Sequence, residues 1–356
     1  MRIVVDVSPL SHPRTGIGNY LRGMVAGLAE AAAGRHELLA FAPTSLRGPE
    51  RIRAALEGVP AATRLLPLPA SHALRTAWSR AGRPPLERLV GRLDVFHFSD
   101  WMYPPQRSGL RATTIHDLVP LRHPEWCTAR TVSMHTHKYA NAARTCGLIV
   151  TNSRFTAGDV AESLGVPAER LAVAHPGVEP RFRPDGPARD LGRPYVLGLG
   201  TLEPRKNLGR LVEGWRRLGG DLSLALAGGE GWGDGPELRE PGIHALGYVA
   251  DDEVAALYRG AAAFVYPSLY EGFGMPIVEA MACGTPVVAS SHPSLDEACG
   301  RAAVRVDPHE PEAVAAGIEE ALARREELVP LGLAHARAFT WSAAGETILR
   351  AYEERV

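Results

Sequence analysis

Along the chain, short apolar runs alternate with stretches in which apolar side chains recur every three or four positions. Apolar runs bounded by Gly, Pro, Asp or Ser read as strands, and the three-to-four spacing reads as helix. In the first half "RIVVDV" (2–7), "HELLAFAP" (36–43), "DVFHFS" (94–99), "ATTIHD" (112–117) and "GLIVTNS" (147–153) are expected strands, with helices between them, most clearly 18–32. The alternation restarts at "YVLGLGT" (195–201) and continues through a helix over 207–218 opening on Asn207 and the strand "LSLALAGG" (222–229). The strands "AAFVYPS" (262–268) and "PVVASS" (286–291) follow, around a helix that starts near Pro276. Beyond 311 the spacing is helical over 311–328, again near 330–338, and from Ser342 to Glu354.

Strand and helix in regular alternation predict a parallel α/β architecture. Residues 179–193, "EPRFRPDGPARDLGR", lack periodicity and are rich in Pro, Arg and Asp, as an interdomain linker would be. At 356 residues two domains are expected. The division is residues 1–180, a linker over 181–193 and residues 194–341. Ligands of such sheets bind outside the carboxyl ends of the strands.

Composition changes this picture little: 45% hydrophobic, 22% charged and net charge -1, with no global field to attract nucleic acid. The halves differ in sign, however. Residues 1–180 carry 21 Lys and Arg against 14 Asp and Glu, and residues 181–356 carry 18 against 26. Residues 35–94 concentrate ten arginines against five acids, which could meet a lipid diphosphate or an anionic membrane surface as readily as bulk water. Cys127, Cys146, Cys283 and Cys299 show neither disulfide-scaffold nor zinc spacing. With "MRIVVDVSPL" reading as a first strand, and no long apolar run, a cytoplasmic protein is expected, possible contact with the inner membrane face being peripheral.

Three segments carry candidate chemistry. Gly16, Ile17 and Gly18, after the first strand and before a helix, form a potential anion cradle, although Leu21 stands where a dinucleotide fingerprint needs its third glycine. "GTLEPRKNLGRL" (200–211) repeats the geometry with Arg205 and Lys206 at a helix mouth, suited to a diphosphate. "YEGFGMPIVEAMACGTPVVAS" (270–290) holds two glutamates in an apolar, glycine-rich run. Carboxylates are rarely buried without partners. Glu271 before the Gly272–Phe273–Gly274–Met275 loop and Glu279 one turn into the helix could both accept from sugar or ribose hydroxyls.

These motifs, in this order, resemble the retaining glycosyltransferases of family 4, in particular the mannosyltransferase-like branch. The likeness covers essentially the whole chain: "TGIGNYL", "TIHDLVPLRHPEW" (114–126), "TNSRFTAGDVAESLGVPAERLAVAHPGV" (151–178), "LALAGGEGW" and "ALGYVADDEVAALYRGAAAFVYPS" besides the two motifs above. It implies the GT-B fold, two Rossmann-like domains facing each other across a cleft, with 342–356 returning to the first. By resemblance Arg205 and Lys206 hold the donor diphosphate, Glu279 the ribose, and Glu271 the transferred sugar close to the amides of Phe273 to Met275. The base is met by backbone around Val249, and His116 lies near the donor sugar, with Asp117 either orienting His116 or contacting the acceptor. His175 is expected to be structural. Thr201 replaces an arginine found in some members, which puts more of the charge on Arg205.

The expected activity is metal-independent, retaining hexose transfer from a nucleotide sugar, GDP-mannose first and a UDP-sugar second, to a glycan, lipid-linked or small-molecule acceptor. His116, Arg205, Lys206 and Glu271 are the catalytic candidates, and no other cofactor and no nucleic-acid partner are expected. A sugar-nucleotide epimerase, a sugar phosphorylase or a non-catalytic sugar-binding protein could use the same architecture. A dehydrogenase is disfavoured by the missing third glycine.

Overall fold

A computed structural model of the chain describes residues 1–12, 16–99, 103–229, 231 and 238–356. Parts of "TGIGNYL" and "LALAGGEGW" lie outside the described residues. The chain divides into two compact units, one formed by Met1–Gly177 with Thr340–Val356 and the other by Val178–Phe339.

The first unit is built on seven parallel strands: β1 Arg2–Asp6, β2 Glu37–Thr44, β3 Ala62–Pro67, β4 Val95–Phe98, β5 Leu110–Ile115, β6 Leu148–Thr151 and β7 Leu171–Val173. Their spatial order is β3-β2-β1-β4-β5-β6-β7. β1 pairs with β2 in the register Val4 to Leu39 and with β4 in the register Val5 to His97. The second unit has six: β8 Tyr195–Leu199, β9 Ser223–Ala227, β10 Ile243–Gly247, β11 Ala263–Tyr266, β12 Val287–Ser290 and β13 Ala303–Val306, in the order β10-β9-β8-β11-β12-β13. Each sheet reverses its winding once, between β1 and β4 and between β8 and β11. That reversal opens a crevice at the carboxyl ends of the two central strands, where α/β ligands bind.

The central strands are buried on both faces, as Ile3, Val4 and Val5 of β1 and Ala263, Phe264 and Val265 of β11 illustrate. Their continuous apolar runs are what a parallel sheet covered by helices demands. Helix ends follow ordinary capping chemistry. Ser153 accepts from Thr156 N at 2.9 Å to open the helix Arg154–Leu164, which ends on left-handed Gly165. Thr340 accepts from Ala343 N at 3.1 Å to open the helix Trp341–Glu353.

That last helix lies in the first unit, against the helix Gly16–Ala32. The contact is glycine on glycine. A methyl group added at Gly27 would sit 1.9 Å from the Trp341 carbonyl oxygen, and one added at Gly345 would sit 2.1 Å from the Gly27 carbonyl carbon. Residues 181–193, expected as a linker, are tied to the second unit: Arg189 N donates to Ala256 O at 2.9 Å and Arg259 Nε to Pro187 O at 2.7 Å. The expected break before Pro330 falls earlier, between the helices Pro311–Ala323 and Arg325–Ala336. Arg324 there binds Glu320 and Glu327, while Pro330, early in the second helix, removes only one backbone bond.

Because backbone meets backbone at Gly27, a side chain cannot be accommodated by a rotamer change. Gly27→Ala is expected to lower the unfolding free energy by about 1–3 kcal/mol through overpacking. Gly209→Ala, where a methyl group meets nothing within 4 Å, should be neutral or slightly stabilising. Urea denaturation of the two variants checks the contrast.

Candidate active site

The loops after β8 and β11 meet at the winding reversal of the second sheet. After β8 the chain makes a short 3-10 turn, Pro204–Lys206, and leaves it through Asn207 at a left-handed φ of 56°. Asn207 stands at the N-cap of the helix Leu208–Trp215 without a side-chain capping bond. Its amide nitrogen donates to Pro267 O at 3.2 Å and to Pro308 O at 2.6 Å, stitching together the loops that follow β8, β11 and β13. Tyr266 ends β11, and Ser268 and Glu271 lead on into the Gly-Phe-Gly turn. Gly274 is left-handed at φ 96°, and a methyl group there would lie 2.8 Å from Leu295. The helix Met275–Ala282 begins next.

Glu271 is buried and accepts from four side chains of these loops. Lys206 Nζ donates to its Oε1 at 2.7 Å, Tyr266 OH at 2.8 Å and Ser268 Oγ at 2.6 Å. Its Oε2 receives Arg205 Nη1 at 2.6 Å. Arg205 also donates to Glu203 Oε1 at 2.6 Å and to Tyr270 O at 3.0 Å. Lys206 Nζ bonds Tyr266 OH at 2.7 Å and lies over that ring, 5.0 Å from its centroid. Burial alone would raise the Glu271 pKa, but the charges of Arg205 and Lys206, with the Lys206 and Ser268 hydrogen bonds, outweigh it and hold the carboxyl well below the usual range. Burial lowers the Lys206 pKa, and Glu271 opposes that shift. The carboxylate's backbone is fixed as well: Glu271 N donates to Ser294 Oγ at 3.1 Å, and that oxygen lies 2.8 Å from His292 Nδ1.

Three expected residues, Arg205, Lys206 and Glu271, are thus in direct contact. Gly272, Phe273, Gly274 and Met275 form the adjoining turn. Phe273 points into the core against Phe339, with ring centroids 5.3 Å apart. Pro276 has no N–H, and Ile277 N is taken by Gly274 O at 3.0 Å. Glu279, half-buried in the second turn of the helix, accepts from Tyr258 OH at 3.3 Å. Val249 follows β10 and packs its side chain on the core of this unit.

His116 and the first glycine pair belong to the first unit. The helix starts at Gly16, so Gly16 to Gly18 form its first turn instead of a loop before it. Ile17, Tyr20, His97, Thr114 and His116 line a small cavity with Asp6. Tyr20 stands edge-on to His116, with ring centroids 4.7 Å apart. Burial pulls the His116 imidazole down to about 4 despite the opposing charge of Asp117, leaving a neutral ring at neutral pH. Asp117 Oδ1 accepts from Val119 N at 3.0 Å, ahead of the turn Val119–Arg122, and its charge also acts on His116. His175 is half-buried in the chain between β7 and the second unit. Sequence reasoning missed Glu203, Tyr266, Ser268 and Ser294. The first sits two residues before Arg205, and the next two lie just ahead of Glu271, so polar residues at the ends of apolar strands were the available signal.

Among the described residues no helix is long and apolar enough to cross a membrane, and no three His, Cys, Asp or Glu side chains gather where a metal ion could be held.

Comparison with known proteins follows the same division. Residues 14–182 match the model of Glycosyltransferase Family 4, and residues 193–324 that of Glycosyl transferases group 1. O-antigen chain mannosyltransferase B of Escherichia coli is 32% identical over 397 aligned positions, covering 99% of this chain and 100% of the relative. A D-inositol 3-phosphate glycosyltransferase of Paenarthrobacter aurescens is 28% identical over 76% of this chain and 75% of its own. In fold, the chain is similar to a sucrose-phosphate synthase from Thermosynechococcus elongatus, with TM-score 0.73, 19% identity and coverage of 99% and 98%. It is likewise similar to Anabaena HepE in complex with UDP and glucose, with TM-score 0.72, 16% identity and coverage of 99% and 100%. Two parallel sheets of the observed winding, with a full-length relative at this identity, place the chain among the family 4 glycosyltransferases of the mannosyltransferase-like branch, built on the GT-B fold.

Proposed function

We propose that this glycosyltransferase moves mannose from GDP-mannose to a glycan or lipid-linked acceptor with retention of anomeric configuration and without a required metal ion. A UDP-sugar is the second choice of donor. The observation that carries the reading is the Arg205–Lys206 pair fixed on Glu271 at the winding reversal of the second sheet. The donor sugar rests on the mannosyltransferase relative.

In this reading the bond between the sugar's anomeric carbon and the diphosphate oxygen breaks, and its electron pair leaves with the diphosphate. Negative charge grows on the departing oxygens, where Arg205 and Lys206 stand preoriented in a partly desolvated site. The amides of residues 273–275 add fixed positive dipole. The acceptor hydroxyl attacks the oxocarbenium-like sugar on the face the diphosphate leaves, and its proton passes to the departing phosphate oxygen. Glu279 serves the ribose hydroxyls, and the backbone at Val249 the base. Glu271 acts chiefly by holding the two cations in place. Its Oε1 is filled by three donors, while Oε2 accepts from Arg205 and has room for one sugar hydroxyl. His116, whose imidazole burial keeps neutral at neutral pH, is not suited to act as an acid. The chain works on the cytoplasmic side, touching the membrane at most peripherally.

Stabilisation by GDP and by GDP-mannose in a thermal-shift panel of nucleotides tests the donor, and NMR of the product's anomeric proton tests retention. Stabilisation by UDP alone would replace the donor. Lys206→Met should lower transfer by about 10²–10³-fold, the size expected for one transition-state charge contact. Because Glu271 keeps Arg205, Tyr266 and Ser268, unfolding free energy should fall by only about 1–3 kcal/mol. A folded Lys206→Met enzyme with transfer within a few-fold of wild type would remove the diphosphate assignment.

Glu271 also predicts an acid dependence. Its folded pKa is depressed, so the stability it contributes is present above its ordinary value of 4.5 and is lost as pH falls through the folded value. Glu271→Gln leaves two buried cations short of their counter-ion and should cost about 3–5 kcal/mol at pH 7. The gap to wild type should narrow steadily below pH 4.5. Urea titrations across that range decide it, and a constant gap would show that the carboxylate is not the ionised partner.

A further inference from the structure

The first sheet has its own winding reversal, between β1 and β4, and the residues there are as charged as those of the second. Asp6, the last residue of β1, is fully buried. Its Oδ1 accepts from Ser8 N at 3.0 Å and from Ser8 Oγ at 2.5 Å, and its Oδ2 accepts from both the N–H and the hydroxyl of Ser99, which follows β4. The carboxylate therefore spends its acceptor positions on serines at the two strand ends.

Arg75 lies beside it on the helix Ser71–Ala81, which packs along β2. Only 5% of this arginine is exposed, yet among the described residues its Nε and Nη1 have no hydrogen-bond acceptor. Its charge acts on both Asp6 and His12. Arg51, in the first turn of the helix Gly48–Ala55, reaches the same turn by donating to Ser11 O at 3.2 Å, and its charge also acts on His12. A buried guanidinium with unused donors is costly, since its planar N–H groups are desolvated and unmatched. Planar N–H donors of this kind suit a tetrahedral oxyanion better than any neutral group.

We propose that this crevice is a second anion site, in which Arg75, assisted by Arg51 and His12, receives a phosphate group on the acceptor side of the reaction. The inference rests on the glycosyltransferase reading for the acceptor's part in it, and it selects two of the ten arginines in residues 35–94 as the ones that bind. Asp6 is the counter-charge that keeps Arg75 in place while the serines keep Asp6 from neutralising it by direct hydrogen bonding. The phosphate could belong to a soluble phosphate ester or to a lipid headgroup.

Calorimetry with inorganic phosphate, run with saturating GDP or UDP so that the second unit's cations are occupied, tests the site directly. Wild type should bind saturably, and Arg75→Gln should weaken binding by at least about ten-fold, with Arg75→Lys between them. Sedimentation with phosphatidylcholine vesicles, with and without phosphatidylglycerol, forms the second arm. Loss in Arg75→Gln of phosphate binding alone supports a soluble phosphate, and loss of anionic-vesicle binding as well supports a lipid headgroup. Equal binding by wild type and folded Arg75→Gln in both arms overturns the site, as does an absence of phosphate and vesicle binding by wild type. Should Arg75→Gln fail to fold, exposed Arg51→Gln takes its place, with a several-fold weakening expected and unchanged binding counting against the proposal. Nucleotide affinity should be unaltered in these variants. Wild type that binds phosphate but no nucleotide would defeat the donor assignment and leave this site standing.

Discussion

One carboxylate organises the second unit's crevice. Two cations next to each other in sequence and buried together would repel, and each would suffer desolvation; Glu271 makes their juxtaposition tolerable by lying between them. Everything around it follows from that constraint. Tyr266 and Ser268 complete the acceptor capacity of one oxygen, Glu203 balances the far side of Arg205, and Asn207 ties the loops that carry the cations to those that carry the acid. The site is preorganised because its charges satisfy one another before any ligand arrives.

The same topological position serves both units with different partners. In the second, an acid is matched by two cations through direct bonds. In the first, Asp6 is matched by serines, and among the described residues the nearby guanidinium retains free donors. Two strands that diverge at a winding reversal leave their carboxyl ends uncovered by crossover helices, so charged side chains can be half-sheltered there without being walled off. The fold supplies the location twice, and the loops decide what it is for.

The strands that periodicity found are the inner strands of the two sheets, and those it missed, β3, β7, β10 and β13, are the four edges. The reason is physical. An inner strand of a parallel sheet is covered on both faces and reads as an unbroken apolar run, such as "RIVVDV", whereas β3 carries Thr63 and Arg64 and has no fully buried residue. The Gly-Phe-Gly turn and the Arg-Lys pair were legible because their residue types make sense only near charge or close backbone. Which group would face which was not legible. Within the chain Glu271 meets two cations separated from it by more than sixty residues, a pairing that only the sheet order creates. Arg75 was likewise just one arginine of ten in a basic stretch until burial singled it out.

The glycine contact between Gly27 and Gly345 carries a consequence for biogenesis. Residues 340–356 complete the first unit, but the ribosome makes them only after all of residues 178–339. The surface of the helix Gly16–Ala32 that they cover must therefore wait, apolar and unfilled, while an entire second unit is synthesised and can fold. A nascent chain in this condition is a natural client for holding chaperones. Any early stop before Trp341 would leave the second unit whole and the first permanently unfinished.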